Sequence, residues 1–199
     1  MEKNKNSKQR LTQKLGQALI ALARNSISER IAKNFQVDES LDSTLEDKRL
    51  KVKSGTFVTL NKKGVLRGCI GSLKSSETII ESIKRNALNA AFHDYRFDPL
   101  TPKELDQVEI EVSVLSEPEV LEYVDGADLI SKLKPGEDGV IIRHGAARAT
   151  FLPQVWKQLS EPAEFLNHLC LKAGLAPDIW QTSKLEVLTY QVQNFEEKK

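Results

Sequence analysis

Apolar residues recur at two periods along the chain, and the switches between them mark out most of its elements. Leu11, Leu15, Ala18, Leu19, Leu22 and Ser26 or Ile27 keep the three-to-four spacing of one helix face, which predicts a helix over about residues 8–33. Val37 to Ser43 is acidic and turn-rich and reads as a surface connection, and Leu45 to Leu50 is too short and too charged to assign. Gly55 to Leu60 then reads as a strand, Asn61-Lys62-Lys63-Gly64 as a hairpin turn with Gly64 at positive φ, and Val65 to Ile70 as the returning strand. Ser75 or Ser76 is the expected N-cap of a helix over Glu77–Phe92. Its inward stripe is Ile79, Ile80, Ile83, Ala87, Ala90 and Ala91, with Lys84, Arg85 and Asn86 on the wetter side.

His93 to Leu100 breaks that helix as an irregular segment dense in charged and aromatic residues, and Thr101-Pro102 starts one short helical turn. Gln107 to Leu115 alternates cleanly, with Val108, Ile110, Val112 and Val114 facing one way and Glu109, Glu111 and Ser113 the other. Such alternation belongs to an antiparallel sheet with one covered face. A short strand within 118–123, a helix over 127–133, a hairpin of 140–143 with 147–152, helices from Pro153 to Leu159 and from Pro162 to Ala173, and a strand over Lys184–Phe195 complete the pattern. Hairpins and helices follow one another irregularly, so the expected class is α+β: an antiparallel sheet with flanking helices and a smaller second lobe. Residues 1–9 are expected to fray, 10–195 to form one domain open to division into two lobes, and 196–199 to be tail.

Composition narrows the setting. The 199 residues carry a net charge of +1 and 29% charged residues, which gives no general surface for nucleic acid. No stretch is long and apolar enough to span a bilayer, and the N-terminus has no signal-peptide pattern. Cys69 and Cys170 are the only cysteines, too few for a disulfide framework, so a cytoplasmic protein with reduced thiols is expected.

Candidate chemistry concentrates in Val65-Leu66-Arg67-Gly68-Cys69-Ile70-Gly71-Ser72. On a regular strand Arg67, Cys69 and Gly71 share one face and Leu66, Gly68 and Ile70 the other. Residues two apart are then about 6.5–7 Å apart, and a guanidinium at that range favours the thiolate of Cys69. Gly68 and Gly71 leave room for a ligand or for another backbone. Against this, a strand cysteine is often simply packed as a small hydrophobe. A thiol nucleophile also wants a base, and of His93, His144 and His168 the candidate is His93, which ends the following helix. Arg96 with Asp94 and Asp98 is either an anion clamp or a loop-locking ion pair, and convergence of Arg67, Arg96 and Arg148 would favour a carboxylate or phosphate. Metal-ligand spacings and phosphate-binding glycine motifs are missing from the sequence, so no metal or cofactor is expected. Glu109 and Glu111 fit a solvated strand face, and Trp156 and Trp180 fit packing roles.

Several blocks together resemble one family. Leu66-Arg67-Gly68-Cys69-Ile70-Gly71-Ser72, Asp94-Tyr95-Arg96-Phe97-Asp98-Pro99-Leu100, Val112-Ser113-Val114-Leu115-Ser116, Gly136-Glu137-Asp138-Gly139-Val140, Ala149-Thr150-Phe151-Leu152-Pro153-Gln154-Val155 and Leu171-Lys172-Ala173-Gly174 stand in the order found in the AMMECR domain family. In bacteria its members are called AmmeMemoRadiSam system protein A. The second block departs from the family pattern at Tyr95 and Asp98, where a proline or small residue is expected. The resemblance implies an α+β fold over about residues 10–195, and association with a Memo-like protein and a radical S-adenosylmethionine enzyme. It brings no established reaction, only a suspected role for the motif cysteine. Two functions follow as expectations. One is a small enzyme or cofactor-handling protein that uses the Cys69 thiolate tuned by Arg67, with Gly68, Gly71, Asp94, Arg96 and Arg148 binding a small anion. The other is a non-catalytic binding or adaptor protein, with the Arg-Gly-Cys hairpin as recognition surface or as a purely structural element.

Overall fold

The computed structural model describes residues 10–31, 40–73 and 76–197. The chain divides into two units, the first built from residues up to 115 and from 193 onward, the second from 116 to 192. Each has its own core.

In the first unit the helical stripe forms α1 (Gln13–Ile31). It begins later than expected, at Gln13, and residues 8, 9, 32 and 33 lie outside the described ones, as does the expected fray over 1–9. Leu11 is buried ahead of the helix, because its N–H and C=O are bound by the Gln193 amide. Part of the expected surface connection is instead α2 (Ser40–Leu45), and a 3-10 turn, Lys48–Leu50, follows, capped by the Asp47 carboxylate and pinned by the fully buried Leu50. The hairpin is β1 (Thr56–Lys62) and β2 (Val65–Ser72), with φ of 76° at Gly64 as the turn requires.

Helix α3 (Ile79–Phe92) begins two residues later than expected. Its N-cap is Thr78, whose hydroxyl accepts from the Glu81 N–H while Glu81 accepts from the Thr78 N–H, so the cap is not Ser76; Ser75 lies outside the described residues. Asn86, expected on the wet side, is 1% exposed. It is held there by polar partners: its Nδ2 donates to the Thr56 carbonyl and hydroxyl, and Thr56 meets the Ser82 hydroxyl at 2.7 Å. Burial of an amide is tolerable when its hydrogen bonds are met.

A 3-10 turn, Pro102–Gln107, leads into β3 (Val108–Leu115), whose Val108, Ile110, Val112 and Val114 are buried as the alternation predicts. The sheet order here is β2-β1-β3, antiparallel, with the end of β7 (Glu186–Glu196) next to β3. The first two residues of the expected tail are tied down: Glu196 ends β7, and the Glu197 carboxylate pairs with Arg24 and accepts from the Ile110 N–H, while 198 and 199 lie outside the described residues.

The second unit holds β4 (Glu119–Val120), α4 (Gly126–Lys132), the hairpin β5 (Asp138–His144) and β6 (Ala147–Phe151), α5 (Pro162–Lys172) and α6 (Ile179–Thr182). Its antiparallel order is β4-β7-β5-β6. The segment expected as a helix from Pro153 is a 3-10 turn, Pro153–Lys157, and α6 is too short to leave a periodic signal. Trp156 stacks on Phe165 at 3.7 Å in the core, and its indole N–H reaches the Asp138 carbonyl, so it packs as expected. Among the described residues no helix is long and apolar enough to cross a membrane.

Candidate functional site

All geometry at the Arg-Gly-Cys stretch comes from the first unit. β2 is the outer strand of its sheet, and its register slips once: Gly68 faces Leu60 and Leu66 faces Asn61, leaving Arg67 as the extra residue of a bulge. Strict alternation therefore ends at Arg67. Leu66, expected on the Gly68 face, pairs with Asn61 and takes the face of Thr59 and Cys69. Arg67 is aimed away along its own path. Its Nε and Nη2 each donate to Glu104 at 3.3 Å, and Nη2 also donates to the Asp98 carbonyl at 2.9 Å.

The two glycines answer to the fold. A Cβ on Gly68 would stand 2.2 Å from the Ala90 carbonyl of α3, and one on Gly71 would meet the Thr56 carbonyl at 2.3 Å and the Phe57 ring at 2.4 Å. The space that sequence reasoning kept for a ligand or another backbone is filled by helix backbone at Gly68, and by β1 at Gly71.

Cys69 is half-buried, and its thiol accepts from the Thr59 hydroxyl at 3.3 Å. Its peptide N–H and C=O point off the open edge of β2, where Asp94 and Arg96 serve as the missing neighbour. The Asp94 Oδ2 accepts from the Cys69 N–H at 2.9 Å, and the Arg96 Nη2 donates to the Cys69 carbonyl at 3.2 Å. The pair is itself bidentate, at 2.9 and 2.6 Å. An exposed strand edge is so closed by side chains rather than by a strand. Hydrogen bonds from Arg96 hold the Asp94 carboxyl well below the usual carboxylate range, although it is 2% exposed. In return Asp94 raises the Arg96 pKa, with a smaller electrostatic contribution from Cys69. Arg96 thus reaches Cys69 at its carbonyl, while Arg67 is bound to Glu104 and to the Asp98 carbonyl.

A cleft of about 550 Å³ opens beside this edge, within the range of small-molecule sites. The 95–101 segment forms much of its wall, with Arg67 from β2 and Glu104 from the 3-10 turn. Both guanidinia lie over the Phe97 ring, with Arg67 Cζ 5.8 Å and Arg96 Cζ 5.4 Å from its centroid. Glu104 is saturated: Oε1 accepts from Lys62 and Arg67, and Oε2 from Arg67 and from the Thr101 N–H and hydroxyl. Those bonds, Arg67's first, bring its pKa down to about 2. Asp94 is equally committed. The donors left over are on the arginines: Arg67 Nη1 is buried with no hydrogen-bond partner, and the bonds of Arg96 to described residues run through Nε and Nη2 only.

His93 caps the end of α3 through its backbone and is exposed, and among the described residues no hydrogen bond joins it to Cys69. Asp98 contributes its carbonyl to Arg67. Arg148 lies in the second unit, exposed on β6 opposite Arg143. Cys170, also in that unit, is fully buried, and burial pushes its thiol up to about 11. Among the described residues no three His, Cys, Asp or Glu side chains gather as a metal group. Sequence reasoning missed Glu104, Phe97, Thr59 and the bulge. Only Glu104 left a signal, as the acid three residues after Thr101 at the start of a short helical turn.

The AMMECR1 family model matches residues 20–195. A protein from Methanothermobacter thermautotrophicus is 40% identical over 185 residues, covering 92% of this chain and 94% of its own length. One from Methanocaldococcus jannaschii is 37% identical over 94% of this chain and 92% of its own. The crystal structure of an uncharacterised protein from Pyrococcus horikoshii is similar at a TM-score of 0.74 and 34% identity, covering 94% of each chain. On both the sequence match and the shared α+β architecture, this chain belongs to the AMMECR1 family.

Proposed function

We propose that the first unit binds a small anion in the cleft beside β2, with Arg67 and Arg96 as its donors. One observation carries this reading. Arg67 Nη1 is buried in a wall where the nearby carboxylates of Glu104 and Asp94 are already used, so the surplus is of charged N–H groups. A buried donor without an acceptor costs about 1–3 kcal/mol, which an anionic ligand recovers. Calorimetric titration with inorganic phosphate at low ionic strength tests it. Saturable binding is expected, weakened at least about tenfold in Arg67→Met, the loss of one charged hydrogen bond. Equal affinity in the variant, or no saturation, overturns the reading.

The Cys69 thiol supports a second reading, in which it acts as a nucleophile. The Thr59 hydroxyl donates to the sulfur at 3.3 Å, and a hydrogen bond of that kind stabilises negative charge developing there. Iodoacetamide labelling of Cys69 slows in Thr59→Val if this holds, and is unchanged if the thiol is only packed. The adaptor alternative draws support from exposed apolar residues on and near the hairpin, Val65 at 69%, Leu66 at 40% and Tyr95 at 95%. It predicts that Leu66→Lys abolishes co-purification with a Memo-like protein and a radical S-adenosylmethionine enzyme, and it fails if neither protein binds the wild type.

A further inference from the structure

Arg96 stands in two places. The residue lines the cleft, and the same Nη2 that pairs with Asp94 reaches the carbonyl of Cys69. Cys69 does not line the cleft. A ligand there therefore reaches the thiol through Arg96. The Asp94 carboxylate accepts from the Cys69 N–H, so the residue sits between a carboxylate and a guanidinium. Arg96 balances that carboxylate. An anion seated on Arg96 offsets its charge and leaves the sulfur beside an uncompensated Asp94.

We infer that occupancy of the cleft governs Cys69: an anion held by Arg96 lowers the nucleophilicity of the thiol, and Arg96 is the coupling residue. This rests on the anion-binding reading above. The coupling is electrostatic, with no strand movement required. Because Arg96 is 42% exposed, it belongs at the weak end of the range for two linked sites, about fivefold. Linkage makes it reciprocal, so a permanently neutral Cys69 side chain binds the anion at least as well as the native one.

The test is the rate of iodoacetamide alkylation of Cys69, read on its own peptide by mass spectrometry, over a titration with inorganic phosphate. Sodium chloride at matched ionic strength is the screening control, and the buried Cys170 reports any unfolding. The wild-type rate is expected to fall about fivefold, with a half-effect at the phosphate dissociation constant measured by calorimetry. Arg67→Met keeps Arg96 and should move the half-effect to higher phosphate in step with its weaker binding. Thr59→Val starts slower and remains phosphate-sensitive, whereas Arg96→Gln starts slower and is insensitive. Phosphate binding with an unchanged alkylation rate overturns the coupling and leaves the binding reading intact. Equal slowing by chloride also overturns the coupling, and absence of phosphate binding overturns both.

Discussion

Glu104 shows how one side chain can fix the polarity of a site. It neutralises Lys62 and part of Arg67, accepts from Thr101, and leaves a single guanidinium nitrogen of Arg67 without a partner. Its folded pKa of about 2 lies below its ordinary 4.5, so its contribution to stability is complete above pH 4.5 and is lost as the pH falls toward 2. Asp94, also held low, acts with the same sign. Glu104→Gln is therefore expected to lower stability at neutral pH and to flatten the acid limb between pH 4.5 and 2, measured by urea denaturation at a series of pH values. An acid limb as steep as that of the wild type contradicts the assignment. In the sequence the thiol, the guanidinium and the Asp94–Arg96 pair were legible as candidates. Their connections were not, because a single extra residue at Arg67 breaks the period-two rule from which faces are inferred.

At the scale of elements, the hairpin is held from both sides. Gly68 lets α3 approach until the Ala90 carbonyl occupies the place of a side chain, and Asp94 with Arg96 closes the outer edge. The Gly68 contact is with backbone, which cannot swing aside. Gly68→Ala is expected to cost about 3 kcal/mol, the upper range for an overpacked site, read from the urea midpoint. A loss under about 1 kcal/mol would contradict the close packing of β2 on α3. Long periodic elements such as α1, α3 and β3 were readable in the residue pattern. The short ones, α2 and α6, were not, since a helix of one or two turns shows too few repeats to stand out from a loop. Asn86 was misplaced for a related reason: a polar residue on a helix reads as outward until the partners Thr56 and Ser82, distant in sequence, are known.

The whole molecule carries two cores with opposite responses to acid at their buried carboxyls. In the second unit Asp138 is 6% exposed, and burial raises its pKa above 3.8. A carboxyl of that kind contributes most below pH 3.8, and its contribution is lost as the pH rises through the raised value. Asp138→Asn keeps an acceptor for the Lys134 N–H and removes the titration. It should abolish the part of the pH dependence that favours the second unit on acidification, followed by fluorescence, since Trp156 and Trp180 both lie in that core. An identical pH profile in the variant contradicts this.

The central claim is that surplus guanidinium donors in the first unit hold an anion. Nitrogen-15 side-chain spectra of the arginines during titration with inorganic phosphate test it most directly. Arg67 and Arg96 are predicted to shift together with one dissociation constant, while Arg24 and Arg143, paired with Glu197 and Glu186, stay in place. Shifts spread evenly over all arginines, or none at Arg67 and Arg96, would contradict the claim.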